Sequence, residues 1–318
     1  MILKKPKFWD LKKPSLFAYF LLPLTFFVLF NNIFFNFLKK KKYEKIKTIC
    51  VGNIYLGGTG KTPLTIKLYQ LFKDLGYSVT VGKKYYKSQK DEQEILSQKT
   101  SFDFHSSRRK LIENAINNKK NLIIFDDGLQ DRTIEYDVKF VCFDADQWVG
   151  NGLLIPSGPL REKIKSLKKY DAVFLKRNDR NNNIQEIKNK IKNINPKIKI
   201  FCAFFKPVNI KKIDLTKRYI IFSGIGNHSS FRKLLNQYQI NILDEIIYPD
   251  HFNYDQTDID HIEQKAKSLK AEIITTEKDF TKISKLNYTN IYSLNVDLEV
   301  ENKKELEEFL LKEINEKS

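Results

Sequence analysis

The sequence has 318 residues, which is enough for two ordinary domains or for one large domain with an appendage. Hydrophobic residues make up 42% and aromatic residues 13%, and this composition excludes a globally disordered chain. The net charge of +18 suits an anionic membrane surface or a phosphorylated substrate, but the chain is rich in Lys throughout, so a general compositional bias also accounts for it. No nucleic-acid-binding module accompanies it, so we expect no nucleic-acid partner.

The three cysteines predict a reducing, cytosolic setting. Cys50, Cys142 and Cys202 are far apart and lie in apolar runs. Their spacing fits neither a metal site nor a disulfide framework, so we expect buried structural thiols.

The first predicted element is an apolar segment. From Pro14 to Leu38 there is no charged residue, and as one helix this stretch would be about 37 Å long, against about 30 Å of bilayer hydrocarbon. It is too long for a signal peptide and no small-residue cleavage site follows it. We therefore predict that residues 1–38 form a membrane-associated helix, with a buried core helix as the alternative. Pro23 also leaves open a kinked or re-entrant hairpin, and lysines at both ends leave the orientation open.

The second element is a phosphate-binding loop. A buried strand at 46–51 leads into a glycine-rich turn, which is followed by an amphipathic helix. In this context Lys61 would reach the β- and γ-phosphates of a nucleotide, and the Thr62 hydroxyl would hold Mg²⁺. The usual first glycine of the motif is replaced by Tyr55. The predicted nucleotide-binding residues are Gly57, Gly58, Thr59, Gly60, Lys61 and Thr62.

The third element is an acidic strand end. Residues 121–125 form an apolar run that ends in Asp126 and Asp127. An aspartate in this position commonly helps to hold the Mg²⁺ ion opposite the phosphate-loop threonine. The predicted metal ligands are therefore Thr62, Asp126 and Asp127.

Six sequence blocks, in the same order, resemble those of the lipid A tetraacyldisaccharide 4′-kinase family. These blocks are 51–63 (VGNIYLGGTGKTP), 126–130 (DDGLQ), 150–162 (GNGLLIPSGPLRE), 224–227 (GIGN), 248–254 (YPDHFNY) and 276–279 (TEKD). With the apolar N-terminus, the resemblance extends to about residue 280, which is most of the chain.

The resemblance implies a reaction and a location. Members of this family transfer the γ-phosphate of ATP to the 4′-hydroxyl of a tetraacylated glucosamine disaccharide 1-phosphate, giving lipid IVA. They act on the cytoplasmic face of the bacterial inner membrane. The implied cofactors are ATP and Mg²⁺, the implied partners are the lipid A disaccharide precursor and membrane lipids, and we expect a monomer.

The resemblance also assigns roles at the transfer site. Asp91 would be the base that receives the hydroxyl proton, and His251 would orient it, as a histidine beside a carboxylate can. Lys61 completes the predicted catalytic set. The implied substrate or phosphate contacts are Glu92, Arg109, Gln130 and Arg161, with Arg108 an equal candidate for the Arg109 role.

Two departures from the family pattern concern the substrate loop more than the nucleotide site. Residues 82–86 (GKKYY) stand where family members have an SRGYG-like block, and Asp131 follows the DDGLQ block where a histidine is usual.

Alternating strands and helices predict an α/β fold of the P-loop type, with a mostly parallel sheet and helices on both faces. Strands are predicted at 78–82, 121–126, 138–143, 171–175 and 198–204, and a second unit starts near Arg218. We predict three parts: the membrane segment 1–38, a kinase domain 39–216, and a smaller C-terminal α/β domain 217–318. Asp91 would then belong to the second part and His251 to the third, and closure of the C-terminal domain over ATP is expected.

Two other functions stay open at this stage. A P-loop GTPase or metal-insertion ATPase is disfavoured because Lys278 and Asp279 are adjacent, whereas guanine recognition needs one residue between them. A non-catalytic membrane scaffold would bind nucleotide without phosphorylating a lipid.

Overall fold

The computed structural model describes residues 5–34, 39–85, 89–177 and 184–316. Contacts within the chain divide these residues into two units. The larger unit contains 5–85, 96–204 and 300–316 of the described chain, and the smaller contains 89–95 and 205–299.

An eight-stranded sheet has the order β12-β7-β6-β5-β1-β4-β2-β3, and every neighbouring pair from β7 to β3 is parallel. Its strands are β1 (Lys47–Gly52), β2 (Val79–Lys84), β3 (Phe102–His105), β4 (Leu122–Asp126), β5 (Val138–Asp144), β6 (Ala172–Lys176), β7 (Lys199–Pro207) and β12 (Val296–Val300). The five strands predicted between residues 78 and 204 are thus confirmed.

Helices cover both faces of this sheet, as predicted. They are α3 (Lys61–Asp74), α5 (Arg108–Asn117), α6 (Ile184–Ile194) and α10 (Lys303–Glu316). The helix α4 (Lys90–Lys99) begins in the smaller unit and ends in the larger one. Phe140 of β5 packs edge-on against Phe309 of α10. The next residue, Val141, points to the opposite face and shares a core with Leu111 of α5 and Ile191 of α6.

The N-terminal segment forms two short helices, α1 (Leu16–Phe20) and α2 (Thr25–Phe34), in place of one long helix. They are separated by a 3₁₀ turn at Leu22–Leu24 that contains Pro23. Proline has no backbone N–H to donate and its ring interferes with the preceding turn, so it breaks a continuous helix here. Across the described residues, we find no helix with the length and apolar character needed to span a bilayer.

The smaller unit is built on a four-stranded parallel sheet with the order β11-β10-β8-β9. Its strands are β8 (Arg218–Ser223), β9 (Asn241–Ile247), β10 (Glu272–Thr276) and β11 (Ile291–Leu294), and its helices are α7 (His228–Gln237), α8 (Gln256–Ser268) and α9 (Glu277–Ile283). Successive residues of β8 enter different cores, Ile220 on one face and Ile221 on the other. This is the pattern of a sheet with helices on both sides.

The units differ from the predicted boundaries in two places. Residues 300–316, predicted to be C-terminal domain, belong to the larger unit because Phe309 packs on Phe140 and Phe201. Asp91, predicted to lie in the kinase domain, belongs to the smaller unit together with His251. Neither assignment can be predicted from the neighbouring sequence, because each depends on residues that are far apart along the chain.

Candidate active site

The predicted phosphate loop forms a tight glycine turn between β1 and α3. Gly60 precedes the helix with φ +86°, and Gly57 has φ +147°, conformations that side-chain-bearing residues rarely adopt. Asn53 braces the turn, since its amide donates to the Gly57 carbonyl at 3.2 Å and to the Thr59 hydroxyl at 3.1 Å. α3 begins at Lys61, so backbone N–H groups and the positive end of the helix face the turn.

Asp126 lies beside this helix start, at the end of β4. Its carboxylate is fully buried and accepts hydrogen bonds from the Thr62 hydroxyl at 3.1 Å and from the Thr65 hydroxyl at 3.4 Å. β1 and β4 are adjacent parallel strands, with Val51 opposite Asp126, so the carboxyl ends of both strands meet at the turn. The structure thus brings together two of the three predicted metal ligands.

Lys83 is a member of this cluster that the sequence prediction missed. It lies opposite Asp126 in the register of β2 and β4, is 1% exposed, and places its Nζ 2.6 Å from Asp126 Oδ2. A buried carboxylate needs such a partner because an isolated charge is costly in the protein interior. The predicted strand ends at residue 82, so no sequence signal marked Lys83 as a strand residue with a buried side chain.

Asp127 is held in an unusual backbone conformation next to Asp126. Its φ is +61°, which is uncommon for a residue with a side chain, and its N–H donates to the Val51 carbonyl at 2.8 Å. Arg161 approaches its carboxylate at 3.4 Å and also donates to the Gln130 side chain at 3.1 Å. Gln130 in turn donates to the Asn53 carbonyl at 2.9 Å, so these predicted contacts form one network behind the phosphate loop.

The two candidate arginines have different surroundings. Arg108 is buried and donates to the backbone carbonyl of Asp127 and, at 3.1 Å, to the Asp131 carboxylate. Burial by itself would raise the pKa of Asp131, but hydrogen bonds from Thr133 and the charge and hydrogen bond of Arg108 lower it overall. Arg109 is exposed on α5. Arg108 is therefore the arginine that contacts the Asp126–Asp127 turn.

In the smaller unit, Asp91 and His251 form a hydrogen-bonded pair. Nδ1 of His251 lies 3.1 Å from both carboxylate oxygens of Asp91, across 160 residues of sequence. Asp91 is 6% exposed, whereas His251 is more open and has a left-handed backbone with φ +58°. Glu92 is close by, with its carboxylate 3.9 Å from His251 Nε2. The predicted base, its partner and the predicted neighbour are thus placed together.

Two lysines of α9 complete the surroundings of Asp91. Lys278 lies 3.3 Å from the Asp91 carboxylate and also contacts Glu92 and Asp250, while Lys282 lies 3.5 Å from Asp91. Burial would raise the pKa of Asp91, but the His251 hydrogen bond and both lysine charges outweigh it and hold that pKa well below the usual value. The carboxylate is therefore ionised at neutral pH.

The family model described as LpxK, tetraacyldisaccharide-1-P 4′-kinase, matches residues 17–315. The chain belongs to this kinase family. The chain is 44% identical over 320 residues to the tetraacyldisaccharide 4′-kinase of Pelagibacter ubique (strain HTCC1062), covering 100% of both chains. It is 34% identical to that of Rickettsia akari (strain Hartford), covering 96% of each.

A solved structure has the same fold. The LpxK of Aquifex aeolicus, described as an "apo" form in complex with ATP, has a TM-score of 0.67. It is 22% identical to this chain and covers 94% of this chain and 100% of its own length. The predicted fold class, a P-loop-type α/β protein with a second α/β unit, is therefore confirmed.

Lys278 is expected to contribute to the low pKa of Asp91, the predicted base. Replacing Lys278 with Met removes a positive charge that keeps the pKa of Asp91 low. A base must be deprotonated to act, so the acidic limb of the kcat/KM profile should move to higher pH in K278M. Because the pKa of Asp91 lies well below the usual value of about 4, a pH–rate profile that extends from about pH 2 to pH 7 measures this shift.

The matched control is Lys285→Met, which removes an exposed lysine just after α9. We expect K285M to keep the wild-type acidic limb. An unchanged limb in K278M would show that Lys278 does not set the protonation of the base.

Proposed function

We propose that this chain phosphorylates the 4′-hydroxyl of tetraacyldisaccharide 1-phosphate with ATP, forming lipid IVA and ADP. The observation that carries the proposal is the pairing of Asp91 with His251 in a chain that also has a phosphate loop, and the family membership supports it. One group of residues is suited to hold the donor triphosphate, and the other to receive a proton from an alcohol.

The nucleotide side of the proposal assigns the triphosphate to the turn at Gly57–Gly60 and to the start of α3. Backbone N–H groups of this turn would bind phosphate oxygens, and Lys61 would neutralise charge on the β- and γ-phosphates. The ATP named for the Aquifex aeolicus protein is consistent with this assignment.

The donor set also fits Mg²⁺. This cation prefers oxygen ligands, and the Thr62 hydroxyl and the Asp126 carboxylate are 3.1 Å apart at the end of the turn, with Asp127 next in sequence. Thr62, Asp126 and Asp127 are therefore the residues we propose to hold the ion. When bound, Mg²⁺ would neutralise phosphate charge and orient the γ-phosphate.

For the acceptor, we assign to Asp91 the role of receiving the proton of the 4′-hydroxyl. As the hydroxyl oxygen bonds to the γ-phosphorus and the bond to the ADP oxygen breaks, the hydroxyl proton passes to the Asp91 carboxylate. The low pKa of Asp91 makes it a weak base, which suits phosphoryl transfer because the nucleophile keeps its proton until late in a loose transition state. His251 holds the carboxylate in place through its Nδ1.

The direct test is incubation of the purified chain with Mg²⁺, tetraacyldisaccharide 1-phosphate and either ATP or GTP, followed by mass spectrometry of the lipid. We expect one added phosphate with ATP. Turnover only with GTP, or nucleotide binding without a phosphorylated lipid, would contradict the proposal and favour a GTPase or a scaffold.

We further propose that the chain acts as a monomer at the cytoplasmic face of the bacterial inner membrane and attaches through α1 and α2. Large apolar side chains on these helices are exposed to solvent, including Leu16 at 90%, Phe20 at 79% and Phe27 at 72%. Exposed apolar surface of this kind marks a membrane or protein contact, and the net charge of +18 suits anionic lipid.

Replacing Leu16, Phe20 and Phe27 together with Ser should weaken binding to vesicles that contain anionic phospholipid by at least about tenfold. The reason is that each large apolar side chain contributes about 1.5–3 kcal/mol when it is buried. Co-sedimentation with vesicles measures the change. Phe104→Ser, which alters an exposed phenylalanine on β3, is the control and should bind as the wild type does. Equal binding by the triple variant would place the membrane contact elsewhere.

A further inference from the structure

Tyr55 occupies the phosphate-loop position that normally holds a glycine, and it is fully buried. Its ring lies directly behind the turn, because a Cβ atom added to Gly57 would be 3.3 Å from Tyr55 Cε1. The Gly57 carbonyl accepts hydrogen bonds from the Thr59 N–H at 3.0 Å and from Asn53 at 3.2 Å. Displacement of the Tyr55 ring would therefore alter the part of the turn proposed to bind phosphate.

The Tyr55 hydroxyl connects this turn to the N-terminal segment. It donates to the Asp10 carboxylate at 2.5 Å and accepts a hydrogen bond from Lys5. Lys5 also pairs with Asp10 at 2.5 Å and lies 4.6 Å from the centre of the Tyr55 ring. Burial and the neighbouring Asp10 both raise the pKa of Tyr55, so the hydroxyl keeps its proton and can donate.

The helix α2, at the other end of the N-terminal apolar segment, also contacts residues next to the phosphate loop. Leu29 packs against the small apolar cluster of Tyr55, Leu154 and Leu160. The Asn32 side chain donates to the Arg161 carbonyl at 2.9 Å, and the Arg161 N–H donates to the Ile54 carbonyl at 2.7 Å. Both ends of the segment thus contact residues next to the phosphate loop.

We propose that Tyr55 is a positioning residue that couples the N-terminal apolar segment to the phosphate loop. The hydroxyl bond to Asp10 keeps the ring against Gly57, and the ring keeps the turn in its phosphate-binding shape. The inference rests on the proposed nucleotide site and adds that the affinity of this site depends on the order of the segment that carries α1 and α2.

The test compares Tyr55→Phe, Asp10→Ala and the double variant in the full chain. Y55F removes one oxygen atom, and Asp10 is partly exposed, so both variants should fold. We expect each single variant to raise the Kd for a fluorescent ATP analogue about threefold to tenfold, because each removes the hydrogen bond that holds the Tyr55 ring to Asp10. The double variant should match the singles, because both remove the same bond. At saturating ATP, kcat should stay within about twofold of the wild-type value.

The matched control is Tyr219→Phe, which removes a tyrosine hydroxyl that donates to the Asp214 carbonyl at 2.9 Å in the smaller unit. Y219F should leave the Kd for the analogue unchanged. Wild-type affinity in Y55F, or fully additive effects of Y55F and D10A, overturns the coupling. A wild-type chain that binds no analogue contradicts the proposed function itself, and this inference with it.

Discussion

Replacement of Asp91 with Asn is expected to lower kcat by about 10²–10⁴-fold, the usual contribution of a positioned acid or base. Asn has nearly the same shape but cannot accept the hydroxyl proton. It also removes a negative charge that both Lys278 and Lys282 contact. Because Asp91 lies apart in sequence from the phosphate loop and has no phosphate-binding role in the proposal, the Kd for ATP should be nearly unchanged. Single-turnover kinetics and nucleotide titration measure the two quantities separately.

Replacement of His251, the partner of the proposed base, should have a related but smaller effect on kcat. His251→Ala removes the group that contacts both oxygens of Asp91, so kcat should fall while the Kd for ATP is retained. Asp260→Asn, an exposed aspartate of α8, is the matched control and should turn over normally. Near-normal turnover in Asp91→Asn would show that another group accepts the proton.

Low pH should reduce the free energy of unfolding of the smaller unit, because the Asp91 carboxylate becomes protonated. The pKa of Asp91 is lower in the folded chain than in the unfolded chain, so its ionised form stabilises the fold above the usual aspartate pKa of about 4. That stabilisation is lost as the pH falls from there through the lower, folded-state pKa.

Replacement of Lys61 with Ala is expected to lower kcat/KM for ATP by at least about 10²–10³-fold. Lys61 is the first residue of α3, directly after the glycine turn, and its ammonium would neutralise charge that builds up on the transferring phosphate. Steady-state kinetics over a range of ATP concentrations measures the loss.

The control for Lys61 lies on the same helix. Lys73 is an exposed lysine in the last turn of α3, and Lys73→Ala should keep wild-type kinetics. If Lys61→Ala phosphorylated the lipid at a normal rate, the role assigned to Lys61 would be wrong and the donor phosphates would have to bind elsewhere in the chain.

Site residues could be predicted from the sequence where the residues that form the site lie within a few positions of one another. The turn from Gly57 to Thr62 and the strand ending at Asp126 were both predicted, because each combines a strand, a turn and specific side chains within a few residues. The choice between Arg108 and Arg109 was not possible from sequence. Adjacent helical residues point in directions about 100° apart, and only packing shows which one is buried.

Buried charges were the most difficult part to predict. Lys83 lies in the stretch 82–86 that departs from the family pattern, and nothing in that stretch indicates that its ammonium contacts the buried Asp126 carboxylate at 2.6 Å. Lys278 lies in the 276–279 block that resembles the kinase family, and nothing in that block indicates that its charge lowers the pKa of Asp91. A lysine is usually a surface residue, so its sequence neighbours alone do not indicate a buried role.

The sequence by itself determined the α/β fold, the phosphate loop and the family to which the chain belongs, because these are expressed in contiguous patterns of side chains and glycines. Only the tertiary structure decided that Asp91 shares a unit with His251 and that two lysines of α9 surround it. It also decided that Tyr55 contacts Asp10. These pairs are far apart along the chain, and their contacts form only when packed strands and helices bring the charges together in a buried, low-dielectric environment.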